Sequence, residues 1–268
     1  MRRTVDNAPF DAYAFFMKST NPILYAGDTS LRTAGTYLAG ILAHAGLAFE
    51  YLPSDQPIAP ALRCGSRPLY IISDYPVKNW TDPDFQAVAA AVSDGAGLLM
   101  IGGWESFHGL EGEYHNSPLA EILPVTMEDH DDRVQSRRPW LIQAVESHPI
   151  LKGLPFQTPP TVGGFNRISP KPGATELLRA TAMEISDSPE EGLQMTSGAS
   201  ESLLVIGTFG KGRTAALACD VAPHWVGTLV DWGQPRVQAQ APNAEAVEVG
   251  CHYAEFFTRL VKWTMGEI

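Results

Sequence analysis

Four short stretches carry most of the side chains able to do chemistry. Asp28, Thr29 and Ser30 follow an apolar run. Asp74 and Tyr75 follow another. Gly102, Gly103, Trp104, Glu105, Ser106, Phe107 and His108 follow a third, and Asp220, His224 and Trp225 lie in CDVAPHW. A Gly-Gly turn exposes backbone N–H groups that can hold an oxyanion or an anionic ligand; the plainer reading is a tight turn that needs glycine. Trp104 can stack on a ligand or cover a sheet end. Ser106 and His108 allow a nucleophile and its base, although two positions apart in a loop sets no geometry. Asp220 and His224 can be an orienting carboxylate and a base, two metal ligands, or structural groups around a core Trp225. Asp28, Ser30, Asp74, Gly102, Gly103, Trp104, Ser106, His108 and Trp225 are therefore the candidate ligand-binding residues, and Asp220 and His224 the candidate catalytic pair. Cys219 reads first as a small buried hydrophobe.

Other polar stretches point to less. EDHDD, Glu128 to Asp132, has metal-type side chains but reads as a solvated acidic loop. GKGR at 210–213 lacks the spacing of a phosphate-binding loop and reads as a hairpin turn. No G-x-G-x-x-G follows a strand and no G-x-S-x-G occurs. No metal site is expected, and no cofactor is indicated.

The positioning elements follow from apolar periodicity. Ile23–Ala26, Ala48–Leu52, Leu69–Ile72 and Leu98–Ile101 read as buried strands, and the recurrence of Ala34, Tyr37, Leu38, Ile41 and Leu42 as a helix. Asp82 reads as an N-cap with Pro83 behind it, opening a helix with Phe85, Val88, Ala89 and Val92 inside. Strand–helix–strand alternation predicts crossovers and a mainly parallel sheet covered on both faces. Ligands of such sheets bind beyond the carboxyl ends of the strands, which would put the four stretches on one rim. Residues 104–135 show few periodic elements, and the proline-rich 155–175 reads as loop. Ser202–Phe209 and Thr214–Ala218 read as a hairpin. Val249 to Val261 reads as an amphipathic helix.

The chain has 268 residues, 19 Lys and Arg against 30 Asp and Glu, a net charge of −11, and 44% hydrophobic residues. That supports a large folded core and argues against general nucleic-acid or anionic-membrane binding. No apolar run is long enough to span a bilayer. Three cysteines, Cys64, Cys219 and Cys251, without C-x-x-C spacing suggest neither a disulfide framework nor a thiolate zinc site. A reducing, cytoplasmic setting is expected. Residues 1–20, with Phe10, Tyr13, Phe15 and Phe16, form an N-terminal arm that packs on its own subunit or on a neighbour, so a homo-oligomer is expected. Residues 21–268 read as one domain.

GAGLLMIGGWESFHG, SPLAEILPV, HPILKGL, FGKGRTAALACDVAPHW and the C-terminal aromatic helix, with YAGD and YIISDYP before them, occur in an order that resembles the putative glutamine amidotransferase family of the class I glutamine amidotransferase-like superfamily. The resemblance covers roughly residues 21–265. It implies a flavodoxin-like three-layer α/β sandwich and assigns Gly102-Gly103 to the oxyanion-type loop. It also implies a Cys-His-Glu triad with its cysteine in a G-x-C-x-G elbow. LRCGSR, LACDVA and EVGCHYAEF provide no such elbow, so standard glutaminase activity is not expected. Trehalose-utilisation-type proteins of the same superfamily share the HPILKGL and GKGR-type segments, which points to a carbohydrate or another polar small ligand. The alternatives are a hydrolase or transferase built on Asp220 and His224, and a non-catalytic oligomeric scaffold.

Overall fold

A computed structural model of the chain describes residues 21–188 and 192–268; the aromatic arm at 1–20 lies outside them. The elements run β1 (Ile23–Gly27), α1 (Gly35–His44), β2 (Phe49–Pro53), α2 (Ala59–Leu62), β3 (Leu69–Ser73), α3 (Asp82–Asp94) and β4 (Gly97–Ile101). There follow α4 (Leu119–Ile122), β5 (Val125–Met127), β6 (Arg133–Ala144), β7 (Thr161–Asn166), β8 (Ile168–Pro170), β9 (Thr175–Ser188), β10 (Gly192–Phe209) and β11 (Gly212–Leu217). The chain ends with α5 (Pro223–Val226), β12 (Arg236–Ala239), β13 (Val247–Gly250) and α6 (Cys251–Thr264).

Nine strands form one sheet in the order β2-β1-β3-β4-β11-β10-β9-β6-β7. From β2 to β11 every pairing is parallel, and from β11 to β7 every pairing is antiparallel. The expected mainly parallel flavodoxin-like sheet is therefore corrected to a mixed one: the second half of the chain adds a large antiparallel wing. Part of the reason is local: no α-helix occurs among the described residues of 133–217, and β9, β10 and β11, which follow one another through short connections, pair antiparallel. Gly210 and Lys211 close the β10–β11 turn as expected. Two small antiparallel sheets, β5–β8 and β12–β13, complete the strands.

Burial divides the two halves. Every residue of β1, β3 and β4 is buried. Their unbroken Ile, Leu, Tyr and Met content suits a sheet layer with helices on both faces. Gly97 abuts the main chain of α6 at Thr264, while Gly212 abuts α3 at Val92. These positions differ by one in register across the β4–β11 pair, so they face opposite sides and the two helices cover both. β6, by contrast, is mostly half-buried or exposed. The stretch expected to be loop between 155 and 175 contains β7 and β8, with Pro159 and Pro160 just before the first and Pro170 ending the second. β7 is an edge strand, where flanking prolines cost little. The N-cap of α3 is Thr81, one residue before the expected Asp82, and it forms a capping box with Asp84.

Candidate functional site

The carboxyl ends of β1, β3, β4 and β11 meet at one rim, as the parallel order requires. A cleft of about 310 Å³ opens there, lined by Asp28, Asp74, Trp104, Glu105, Leu110, Glu111 and His224. Asp28 follows β1, Asp74 follows β3, and Trp104 and Glu105 follow β4. Asp220 lies behind His224, three residues past the end of β11.

The loop after β4 is held by buried polar contacts. Asp74 sits in a left-handed backbone conformation (φ 53°). Its N–H donates to Ser106 Oγ at 2.9 Å, and its Oδ1 accepts the Glu105 N–H at 2.8 Å. Asn166, fully buried at the end of β7, brackets the Gly103 peptide: Oδ1 accepts the Gly103 N–H at 2.9 Å and Nδ2 donates to the Gly103 carbonyl at 3.1 Å. The same Nδ2 donates to Asp132 Oδ1 at 2.7 Å. Asp132 is fully buried and accepts the N–H groups of His108 and Gly109 at 3.0 and 2.9 Å. The antiparallel wing thus supplies the clamp for a loop of the parallel half. Asp132 is the last residue of the EDHDD run, so that run is only partly the solvated loop expected.

Three carboxyls are pressed toward neutrality. Burial raises Asp28 from 3.8 to about 6 and Asp74 from 3.8 to about 7, with Asp28 adding repulsion to Asp74. Asp220, 1% exposed, is raised by burial and then by Asp74 and Asp28. Its Oδ1 accepts the N–H groups of Val221 and Ala222. Its Oδ2 lies 3.2 Å from His224 Nε2. That contact lacks hydrogen-bond alignment, so Oδ2 has no hydrogen-bond partner. Partial burial lowers the His224 ring below its ordinary value. Glu105 is raised by burial, opposed by Lys78.

The remaining candidate residues land elsewhere. The Gly102 N–H donates to the Leu217 carbonyl at 2.7 Å and the Gly103 N–H to Asn166, so neither is free for an oxyanion. Glycine is needed for close approach: a Cβ at Gly102 would stand 1.9 Å from the Ala218 carbonyl oxygen, and one at Gly103 2.1 Å from Asp74 Oδ1. Ser106 is fully buried and serves the Asp74 N–H. His108 stacks on His115 with ring centroids 4.7 Å apart, and its Nδ1 contacts the Gly109 carbonyl. Trp225 is buried against Gly164. Ser30 lines a neighbouring cleft with Arg32, Tyr51 and Asn243. Glu105, Leu110 and Glu111 join the cleft without having been singled out; adjacency to Trp104 was the available signal for Glu105.

The cysteines stand apart. Cys219 is fully buried and its thiol is pushed far up by burial, then by Asp220. Cys64 is exposed near the end of α2. Cys251 opens α6, with Sγ 3.7 Å from His252 Nδ1. None lines the cleft. Among the described residues no three His, Cys, Asp or Glu side chains are grouped to hold a metal ion, and no helix is long and apolar enough to cross a membrane.

Residues 65–237 match the family described as Putative glutamine amidotransferase. Cytoplasmic Protein STM1381 from Salmonella typhimurium LT2 is 25% identical, with a TM-score of 0.67 over 91% of this chain and 99% of that one. Cytoplasmic Protein STM3548 from Salmonella typhimurium is 23% identical, with a TM-score of 0.66 over 91% and 98%. A beta-galactosidase from Bacillus circulans shares the fold at 11% identity and a TM-score of 0.50, over 93% of this chain and 31% of that one. No curated protein matches the chain.

Proposed function

The chain belongs to the putative glutamine amidotransferase family, and from that premise we propose that it binds a polar small molecule at the rim of the sheet without thiol-based glutaminase chemistry. One observation carries the reading: the cleft is lined by carboxylates, a histidine and the half-exposed Trp104, and by no cysteine. A nucleophilic thiol must be exposed and ionisable. Cys219 is neither, although it is the cysteine nearest the rim in sequence. An open tryptophan beside several hydrogen-bonding groups is what a polyhydroxylated or charged ligand of modest size requires.

The test has two arms. Incubation with glutamine should release no glutamate above a heat-killed control. A screen of monosaccharides, polyols and amines by thermal shift should find saturable stabilisation that Trp104→Ala removes. Glutamate release abolished by Cys219→Ser or Cys251→Ser would overturn the proposal, as would a full screen without a hit.

The Asp220–His224 contact favours a second reading, a hydrolase or transferase with His224 as base and Asp220 as its orienting group. It has to work without the Gly102-Gly103 donors, whose N–H groups are already bonded. Turnover of an activated ester that His224→Gln abolishes would support it. Location in the cytoplasm and self-association through the aromatic arm belong to the same proposal; sedimentation of the chain with and without residues 1–18 tests the latter.

A further inference from the structure

Among the described residues Asp28 and Asp74 are carboxyls without a basic ion-pair partner, and Asp220 has only His224. Among the described residues no lysine or arginine pairs with any of the three. Two cations sit on other lining groups of the cleft rather than on these carboxyls. Lys78 pairs with Glu111 at 2.6 Å. Arg133 pairs with Asp131 at 2.7 Å and lies over the Trp104 ring, 4.5 Å from its centroid. His224, whose ring is held toward its neutral form, is the one base at Asp220. Around Asp28 the other charged groups are acidic, Asp74 and Glu105.

A second observation lies below the carboxyls. The Tyr25 hydroxyl is fully buried and has no hydrogen-bond partner. A Cβ on Gly27 would stand 2.9 Å from Tyr25 Cε2 and 3.3 Å from Cζ. The ring therefore lies along β1, with its tip toward the carboxyl end of the strand, where Asp28 follows. Burial, then Tyr51, and then Asp28, Asp220 and Asp74 hold its hydroxyl in the neutral form. Asp220 Oδ2, 3.2 Å from the cleft-lining His224, is a second buried atom without a hydrogen-bond partner. Unsatisfied buried polar groups are uncommon and call for a partner.

We propose that the cleft takes a ligand carrying a protonated amine, whose N–H groups meet Asp28 and Asp74 at the floor of the cleft beside the Tyr25 hydroxyl and Asp220. This rests on the small-molecule-binding reading and names its ligand class. An ammonium group donates three hydrogen bonds and supplies the missing positive charge. It needs several acceptors around it, and Asp28, Asp74 and Glu105 line the same cleft. Trp104, one face occupied by Arg133, forms a wall for the rest of the ligand. Because the ammonium favours the charged form of the carboxyls, binding releases protons from Asp28 and Asp74 and strengthens as pH rises toward 8.

The experiment is calorimetric titration with two matched pairs, ethanolamine against ethylene glycol and putrescine against 1,4-butanediol, whose amines remain protonated at both pH values, at pH 8 and pH 5. Expected is an amine member binding at least about tenfold tighter than its neutral partner at pH 8. That preference should shrink at pH 5, with a heat that depends on buffer ionisation. Asp28→Asn should erase the preference. Glu105→Gln, at a half-exposed position, should reduce it in a protein whose fold is not in question. A neutral member binding as tightly as its amine overturns the inference and leaves the small-molecule reading standing. Failure of all four probes overturns the inference alone, because the wider screen decides the other reading independently.

Discussion

Asp74→Asn should make the protein more stable at pH 8 and leave it nearly unchanged at pH 4. Asp74 titrates at about 7 in the folded chain against an ordinary 3.8. A carboxyl whose folded value is raised stabilises the fold fully below its unfolded value, and that contribution is lost as pH rises through the folded value. At about 1.36 kcal/mol per pH unit, keeping Asp74 ionised in the fold at pH 8 costs roughly 4 kcal/mol, an upper figure because Asp28 shares the effect. Asparagine cannot ionise and has the same shape. It tolerates the left-handed backbone that Asp74 adopts, and its amide oxygen still accepts the Glu105 N–H. The carboxylate also accepts from the Trp104 backbone. An amide nitrogen facing that donor loses about 1 kcal/mol, leaving a net gain of about 1–3 kcal/mol. Urea unfolding followed by tryptophan fluorescence at pH 4, 6 and 8 measures it, as a midpoint rise of roughly 0.5–1 M at pH 8. A variant less stable than the parent at pH 8, or equally stabilised at pH 4 and pH 8, would refute the argument that Asp74 carries a buried charge at a cost.

Asn166→Ala should destabilise by about 3–5 kcal/mol, because it strips partners from the Gly103 N–H, the Gly103 carbonyl and the buried Asp132 carboxyl; chemical denaturation measures the loss. Gly102→Ala should cost more than about 3 kcal/mol or abolish soluble expression, since its Cβ meets the Ala218 carbonyl oxygen at 1.9 Å. In native protein a disulfide reagent should modify Cys64 quickly and Cys219 not at all, with Cys219 released only by denaturant; fast reaction at Cys219 would contradict its burial. Between pH 4 and pH 7 the parent should lose stability as Asp28 and Asp74 ionise, and Asp28→Asn should flatten part of that slope.

The helix-covered half could be read from the amino acids because its strands are unbroken apolar runs. Ile23–Ala26, Leu69–Ile72 and Leu98–Ile101 each lie within a fully buried strand. Once those ends were placed, Asp28, Asp74, Trp104 and His224 fell on one rim by topology alone. Of the antiparallel wing only the β10–β11 hairpin left a comparable trace. β6 carries Arg133, Gln135, Ser136, Arg137 and Arg138 with no alternation, because much of it is open to solvent and no buried face selects its side chains. Asn166 gave no signal, since an asparagine between Phe165 and Arg167 looks like any turn residue until the Gly103 peptide is brought against it from 63 positions away. Asp132 was masked by the acids around it. Gly102 and Gly103 were visible as unusual, but their use is close packing, and only coordinates distinguish that from a donor nest.

β11 is the seam at which the two halves are joined, parallel to β4 on one side and antiparallel to β10 on the other. On a ribosome this sets a waiting time. β4 is made early, yet its free hydrogen-bonding edge has no partner until the whole of Gly102 to Lys211 has been synthesised and β11 has emerged. Through that interval the nascent chain presents Leu98 to Ile101 as an open, apolar strand edge, the kind of surface that recruits chaperones or a neighbouring chain. Closing the seam also brings Asp220 and His224 up to Asp28 and Asp74. The cleft is therefore completed late, and a truncated chain ending before β11 would carry all four of its lining carboxylates but neither His224 nor the Asp220 behind it.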